Sequence, residues 1–216
     1  MTDVWSQRAE AFRESPTHRE GPDLELLVEW CEPGPDVKVL DVATGGGHVA
    51  RRLREEGCTV VTVDPAPGMR PDVVSSAEHL PFQDGSFDVV ACRIAAHHFE
   101  DVLAAVAEMA RVSRRLLVIE DNVFRGEHVE KAERLRDPTH VRCYSEEEWR
   151  EMITEAGFEV EQVEYFARRQ SVDAWLARVD TPPEDATRVR ELLAGEIHEG
   201  LLELRSIVLQ ARRSQT

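Results

Sequence analysis

Leu40-Asp41-Val42-Ala43-Thr44-Gly45-Gly46-Gly47-His48-Val49-Ala50 joins a short apolar run to an amphipathic one through three consecutive glycines. The run Val37–Ala43 reads as a buried strand. His48–Glu56 then repeats its apolar residues at helical period until Gly57 stops the helix. Three glycines cost backbone entropy that a plain strand-to-helix turn does not require, so the loop is read as one that lets a ligand approach bare peptide. Gly45-x-Gly47-x-x-Ala50 matches the loose dinucleotide fingerprint, and Asp64 lies where a ribose-binding carboxylate belongs. Asp41 argues against a diphosphate, because a carboxylate four residues before Gly45 would oppose one at close range. It suits a cationic ligand, directly or through water, or it holds the turn's own N–H groups. No Arg or Lys stands inside the loop.

The same alternation continues outward. Thr59–Asp64 is a second β-branched run, Val73-Val74 a brief third, Phe87–Cys92 a fourth and Arg115–Glu120 a fifth; Asp101–Val112 is helical between the last two. Apolar strands alternating with amphipathic helices imply an α/β, doubly wound, Rossmann-like parallel sheet, with ligands bound beyond the carboxyl ends of its strands. Beyond Asp121, Glu127–Arg136 is charged and helical. Ser145 and Glu148 form a capping box for a helix ending at Gly157. Phe158–Phe166 reads as a strand, Val172–Val179 and Glu184–Leu193 as helices, and Leu201–Ala211 as a final strand, with a turn at Asp180–Glu184. A single domain is expected over 1–216. Residues 1–36 form a helical lid (helical additions over roughly 4–31), 37–121 a ligand-binding core, and 122–216 a half carrying lid helices and the last two strands.

Composition narrows the partners. Of 216 residues 42% are hydrophobic, enough for a core, so wholesale disorder is excluded. A formal charge of −16 repels nucleic acid and anionic membrane surfaces. Only Lys38 and Lys131 are lysines among the 26 basic residues, which fits a salty habitat or a base-composition bias equally well. Cys31, Cys58, Cys92 and Cys143 are too far apart for a C-x-x-C pair and read as buried reduced thiols. No metal is expected, for want of a clustered His/Cys set. The start has no apolar export stretch, and no run reaches the roughly 20 residues that cross a bilayer. A cytoplasmic protein without membrane insertion is expected.

S-adenosylmethionine (SAM), a cation without phosphate, fits this acidic frame, and the residues here carry a resemblance. Val39–Ala50 resembles motif I of the class I SAM-dependent methyltransferases, D-x-[GA]-x-G-x-G, with Asp41, Ala43, Gly45 and Gly47 in register. Asp64-Pro-Ala-Pro-Gly-Met69 resembles their acidic loop. Ala77–Val90 and Cys92–Phe99 are similar to the A-E-x-L-P-F-x-D-x-S-F-D-x-V stretch and the post-strand-four signature of the ubiquinone/menaquinone C-methyltransferase branch. Ser15–Leu27 and Arg136–Ser145 also resemble segments of bacterial members, so the resemblance covers most of the chain. It implies a seven-stranded sheet with an antiparallel last strand, SAM as cofactor and S-adenosylhomocysteine as product. It places Gly45, Gly46 and Gly47 under the methionine part, Asp64 at the ribose with Pro65 beside it among the cofactor-binding residues, Ala77 and Glu78 along the adenine, and the Arg93 backbone at the methionine end. Ser76 stands where the branch commonly has an adenine-binding Asp. A hydroxyl accepts more weakly, so Glu78 or a backbone carbonyl is expected to share that role.

On the acceptor side, His97 and His98 follow the fourth strand at the ligand edge. Each is a candidate base for an O–H, N–H or acidic C–H acceptor, or a helix cap, with His97 preferred. His18 is a third candidate, in a segment expected to fold over the cofactor, with a surface position as its plainer reading. Asp121 and Asn122 could orient a substrate. His140, Arg142 and Tyr144 either hold an anionic group or, the favoured reading, brace the lid. Trp175 and Phe166 read as core before pocket. The expected reaction is SN2 methyl transfer to a small-molecule acceptor. An NAD-linked oxidoreductase and a SAM-binding protein without turnover are the rivals, and a homodimer stays open.

Overall fold

A computed structural model describes residues 2–214, apart from the side chains of Thr2, Asp3, Pro16 and Thr17. Helices α1 (Thr2–Glu14), α2 (Pro16–Arg19) and α3 (Pro22–Trp30) come first. An alternating core follows: β1 (Lys38–Val42), α4 (His48–Glu55), β2 (Thr59–Asp64), β3 (Val73–Val74), β4 (Phe87–Arg93), α5 (Val102–Val112) and β5 (Ser113–Asn122). The remainder is α6 (Glu127–Arg136), α7 (Glu146–Glu155), β6 (Phe158–Ser171), α8 (Val172–Ala177), α9 (Pro183–Leu192), β7 (Ile197–His198) and β8 (Leu201–Arg213).

The sheet runs β3-β2-β1-β4-β5-β8-β6. Strands β3 to β5 are parallel, and β8 enters antiparallel between β5 and β6. Seven strands were expected; the described residues form eight, because the two-residue β7 pairs with the start of β8. Along β1 the side chains alternate between two cores, since a strand's side chains have period two. Leu40 and Val42 join the face that holds Met109 of α5 and Trp149 of α7. Val39 joins the face that holds Leu24 and Leu27 of α3 and Leu53 of α4. Helices on both faces explain why these strands read as unbroken apolar runs.

Several boundaries differ from expectation. Strand β5 begins at Ser113, where α5 ends, because no Gly or Pro separates them, and the β4–β5 ladder absorbs a bulge between Phe87 and Val89. Strand β6 continues past Phe166 to Ser171, paired with the first half of β8. Its Arg168-Arg169-Gln170 stretch belongs to the outer edge of the sheet. Helix α8 ends at Ala177, short of Val179. The capping box at α7 forms as read: Ser145 Oγ accepts from the Glu148 N–H (3.2 Å), and the Ser145 N–H donates to Glu148 Oε2 (2.9 Å). Trp175 packs with Val129, Val189 and Leu202 in a third cluster under α6, α8 and α9. Among the described residues no helix is long and apolar enough to cross a membrane.

Candidate active site

The carboxyl ends of β1, β2 and β4 open into a cavity of about 660 Å3, within the range of small-molecule sites. The glycine loop forms its floor. Asp41 is buried at the end of β1, and its Oδ2 accepts from Thr44 Oγ1 (2.6 Å) and from the Ala50 N–H of α4 (3.2 Å). Burial outweighs both bonds and pushes its carboxyl up to about 6. Asp64 closes the loop from β2: Oδ2 accepts from the Gly45 N–H (3.0 Å) and Oδ1 from the Ala66 N–H (2.9 Å). Its pKa is also raised by burial, against those two bonds. Gly47 caps α4 at φ 76°, a left-handed conformation that favours glycine. Of the six described non-glycine residues in that region, two, Ala43 (φ 55°) and Ile94 (φ 51°), line the cavity just past the ends of the adjacent strands β1 and β4.

Helix α1 roofs the cavity with Trp5 and Phe12. Two glycines let it come down. A Cβ on Gly46 would stand 2.8 Å from the Phe12 carbonyl oxygen, and one on Gly68 would stand 2.6 Å from Ser6 Cα. His48 Nε2 donates to that Phe12 carbonyl (3.0 Å), the Gly68 N–H donates to Ser6 Oγ (3.1 Å), and Arg13 donates to the Gly68 carbonyl (3.0 Å). Arg8 then ties α1 to Asp137 (3.2 Å) and to the Val179 carbonyl (3.1 Å). Sequence reasoning missed Trp5, Phe12 and His48. The first two lie seven residues apart, two helical turns, which was the available signal.

Arg93, expected near the cofactor, spends its guanidinium on structure. It donates to Glu120 (2.6 Å), to the His18 carbonyl (2.9 Å) and to Asp23, joining α3 and the His18 turn to the sheet. Glu120, wholly buried, is pushed up to about 7 by that burial, although Arg93 and Ser206 Oγ (3.0 Å) favour its charge. Among the described residues the cavity wall carries five carboxylates (Asp41, Asp64, Glu78, Glu100 and Asp101) against this one matched guanidinium. Ser76 and Ala77 lie on the wall with Pro65. Glu78 Oε1 accepts from the Glu100 N–H (3.1 Å), fixing the approach to α5.

The histidines divide. His98 and His18 line the cavity; His97, the preferred candidate, does not. His97 is buried against Asp121, which accepts from its Nδ1 (2.5 Å) and from its N–H (2.7 Å). Burial alone would lower its pKa, but Asp121 outweighs burial and raises it. His98 Nδ1 meets the Thr139 carbonyl at 3.0 Å, and a carbonyl only accepts, so Nδ1 carries the proton. Burial, then the charge of His97 at 4.1 Å between ring centres, holds the His98 pKa well below the usual range. The neutral ring therefore keeps a lone pair on Nε2. His18 is likewise held well below its usual range, by burial and then by Arg178 and Arg93, and bonds Ser15 Oγ through Nδ1 (2.8 Å).

The expected substrate group is not gathered at this cavity. Asp121 serves His97, and Asn122 lines a separate cavity of about 370 Å3 together with Phe166. His140 is buried on Glu130 (2.9 Å). Arg142 pairs with Glu148 and stacks over Tyr144 (5.1 Å), which is the bracing arrangement.

The chain is similar to known proteins over most of its length. The family model described as "Methyltransferase domain" matches residues 40–116. The uncharacterized methyltransferase YcgJ of Bacillus subtilis is 35% identical over 204 residues, 83% of this chain and 80% of that protein. The crystal structure of YcgJ superposes with a TM-score of 0.81 at 26% identity, covering 90% of this chain and 99% of that one. A demethylmenaquinone methyltransferase of Beutenbergia cavernae is 38% identical over 99 residues, 40% of this chain and 41% of its own length.

Proposed function

Since the chain belongs to the class I SAM-dependent methyltransferases, we propose that it moves a methyl group from SAM to a small-molecule acceptor by in-line SN2 attack. The carrying observation is the charge of the cavity wall: five carboxylates and one already matched guanidinium around a bare peptide loop. Such a wall favours a sulfonium and an ammonium and opposes a diphosphate. When bound, SAM supplies an electrophilic methyl on its sulfonium.

The chain's own residues hold and shield. The Gly45–Gly47 backbone receives the methionine part, and Asp41 adds negative charge below it. Asp64 and Pro65 receive the ribose, each Asp64 oxygen keeping acceptor capacity beyond its one backbone bond. Ser76, Ala77 and Glu78 flank the adenine. Helix α1 excludes water through Trp5 and Phe12. His98 takes the acceptor's proton at Nε2 where the acceptor has one to lose, while Thr139, His97 and Asp121 position it. Residues 1–216 act as one domain with α1 and α2 as lid, and four buried thiols suit the reducing cytoplasm.

Calorimetry tests the reading. S-adenosylhomocysteine is expected to bind, and Asp64→Ala to weaken it at least tenfold, about 1.4 kcal/mol. Binding of NADH but not S-adenosylhomocysteine overturns the proposal.

A further inference from the structure

A second set of reactive side chains lies behind the cavity. Along the chain only His140 and Cys143 are close, in His140-Val-Arg-Cys143. The fold adds Glu130 from α6. One donor atom of each, a carboxylate oxygen, a ring nitrogen and a thiol sulfur, lies within 4.8 Å of the other two, and all three residues are buried. Glu130 Oε2 accepts from His140 Nε2 (2.9 Å) and from the Cys143 N–H (3.2 Å). Glu130 Oε1 is buried with no hydrogen-bond partner. Arg134, more exposed, stands 3.8 Å from Oε2, beyond hydrogen-bond reach. A buried carboxylate oxygen without a partner is costly, and a cation answers it.

We infer that Glu130, His140 and Cys143 hold a divalent transition-metal ion, with zinc the best match. Sulfur and ring nitrogen exclude calcium and magnesium, which take oxygen donors. A thiolate and a carboxylate balance the two positive charges, and three protein ligands leave a fourth position for water. Zinc at ~2.0–2.3 Å from each donor sets four-coordinate donors roughly 3.2–3.8 Å apart, so side-chain shifts on the order of 1 Å complete the site. On binding, the Cys143 thiol releases its proton to solvent and the ligating His140 nitrogen carries none, so the His140–Glu130 hydrogen bond is replaced by two metal bonds. The ion would fasten residues 140–143 to α6. Thr139, the next residue, holds His98, and the Val141 and Arg142 N–H groups donate to the His97 carbonyl (2.9 and 3.2 Å). A metal here braces the wall of the site and takes no part in methyl transfer.

The test needs no cofactor or acceptor. Full-length protein, stripped with a chelator, is titrated with Co2+ alone and then with Zn2+. One equivalent of Co2+ is expected, with a thiolate-to-cobalt charge-transfer band and the visible bands of a four-coordinate ion. Zn2+ should displace it and raise Tm. Cys143→Ser should abolish the charge-transfer band, and Glu130→Gln and His140→Gln should weaken uptake at least tenfold. Circular dichroism separates lost metal from lost fold, and the wild-type spectrum decides the matter if a variant does not fold. No uptake, a cobalt spectrum without the thiolate band, or unchanged uptake in folded Glu130→Gln and His140→Gln overturns the inference.

Discussion

Asp41→Asn should make the protein more stable at neutral pH and a poorer binder of SAM. The buried Asp41 carboxyl sits at about 6 against 3.8 in an unfolded chain. A folded pKa above the unfolded one means that the folded state keeps its proton between those values while the unfolded state loses it. Stability is therefore full below pH 3.8, falls as pH rises through about 6, and stays low above. The gap corresponds to about 3 kcal/mol at pH 7. Both hydrogen bonds fall on one oxygen, Oδ2. An Asn carbonyl placed there keeps them both, and its amide replaces only Oδ1. Relaxation at the cavity takes part of the gain, so about 1–3 kcal/mol is expected, or roughly 2–10 °C in Tm at this chain length. Urea unfolding from pH 4 to 8 reads the difference, which should grow between pH 4 and 6 and then level. Calorimetry reads the loss, at least tenfold for SAM and less for the uncharged thioether S-adenosylhomocysteine. A variant that is less stable at pH 7, or equally shifted at every pH, refutes the electrostatic reasoning. Unchanged SAM affinity would remove Asp41 from the site.

Asp121→Asn removes one partner of a buried pair, and about 3–5 kcal/mol of destabilisation is expected in urea. The raised His97 pKa makes that pair's contribution complete below pH 6.5 and lost as pH rises through the folded value, so the deficit should shrink in alkali; a constant deficit argues against an ionised pair. His98→Gln should lower kcat for an O–H or N–H acceptor by about 10²–10⁴-fold. The wild-type rate should hold flat down through pH 6.5, because the His98 pKa lies well below that value; a fall at pH 6.5 itself would contradict it. Gly68→Ala places a methyl 2.6 Å from Ser6 Cα, so α1 must lift. Faster proteolysis within α1 and weaker S-adenosylhomocysteine binding are expected, and their absence would detach α1 from the site.

What was readable in the sequence is what the chain holds contiguously. Strand, glycine turn and helix from Leu40 to Ala50 form one unbroken motif, and Asp64 ends a β-branched run, so the cavity floor followed from local spacing. Its roof did not. Gly68 meets Ser6 across 62 residues, and Arg8 meets Asp137 across 129, and neither glycine nor arginine announces such a partner. The different placements of His97 and His98 were hidden for the same reason. The two are neighbours in sequence, and only the positions of Asp121 and Thr139 turn one inward and leave the other on the wall. The edge half of β6 was hidden because an exposed edge strand needs no apolar alternation, while its ladder to β8 supplies the order.

Three unfavourable features of this fold meet at one edge of its sheet. Asp41 is buried with a raised pKa, and Ala43 and Ile94 take left-handed backbone that their Cβ atoms resist. For Ile94, β-branched, that conformation is a genuine strain, of order 1–3 kcal/mol. Packing alone would favour none of these, since the two cores on either side of β1 and β4 are apolar and well filled. The surroundings hold them in place. The Ile94 N–H is pinned to the Glu120 carbonyl at 2.7 Å, and the Thr44 N–H to the Val63 carbonyl at 3.0 Å. A fold optimised for stability alone would replace Asp41 and relax Ile94. Their joint presence on the wall of one acidic cavity fits the proposed binding of a sulfonium there.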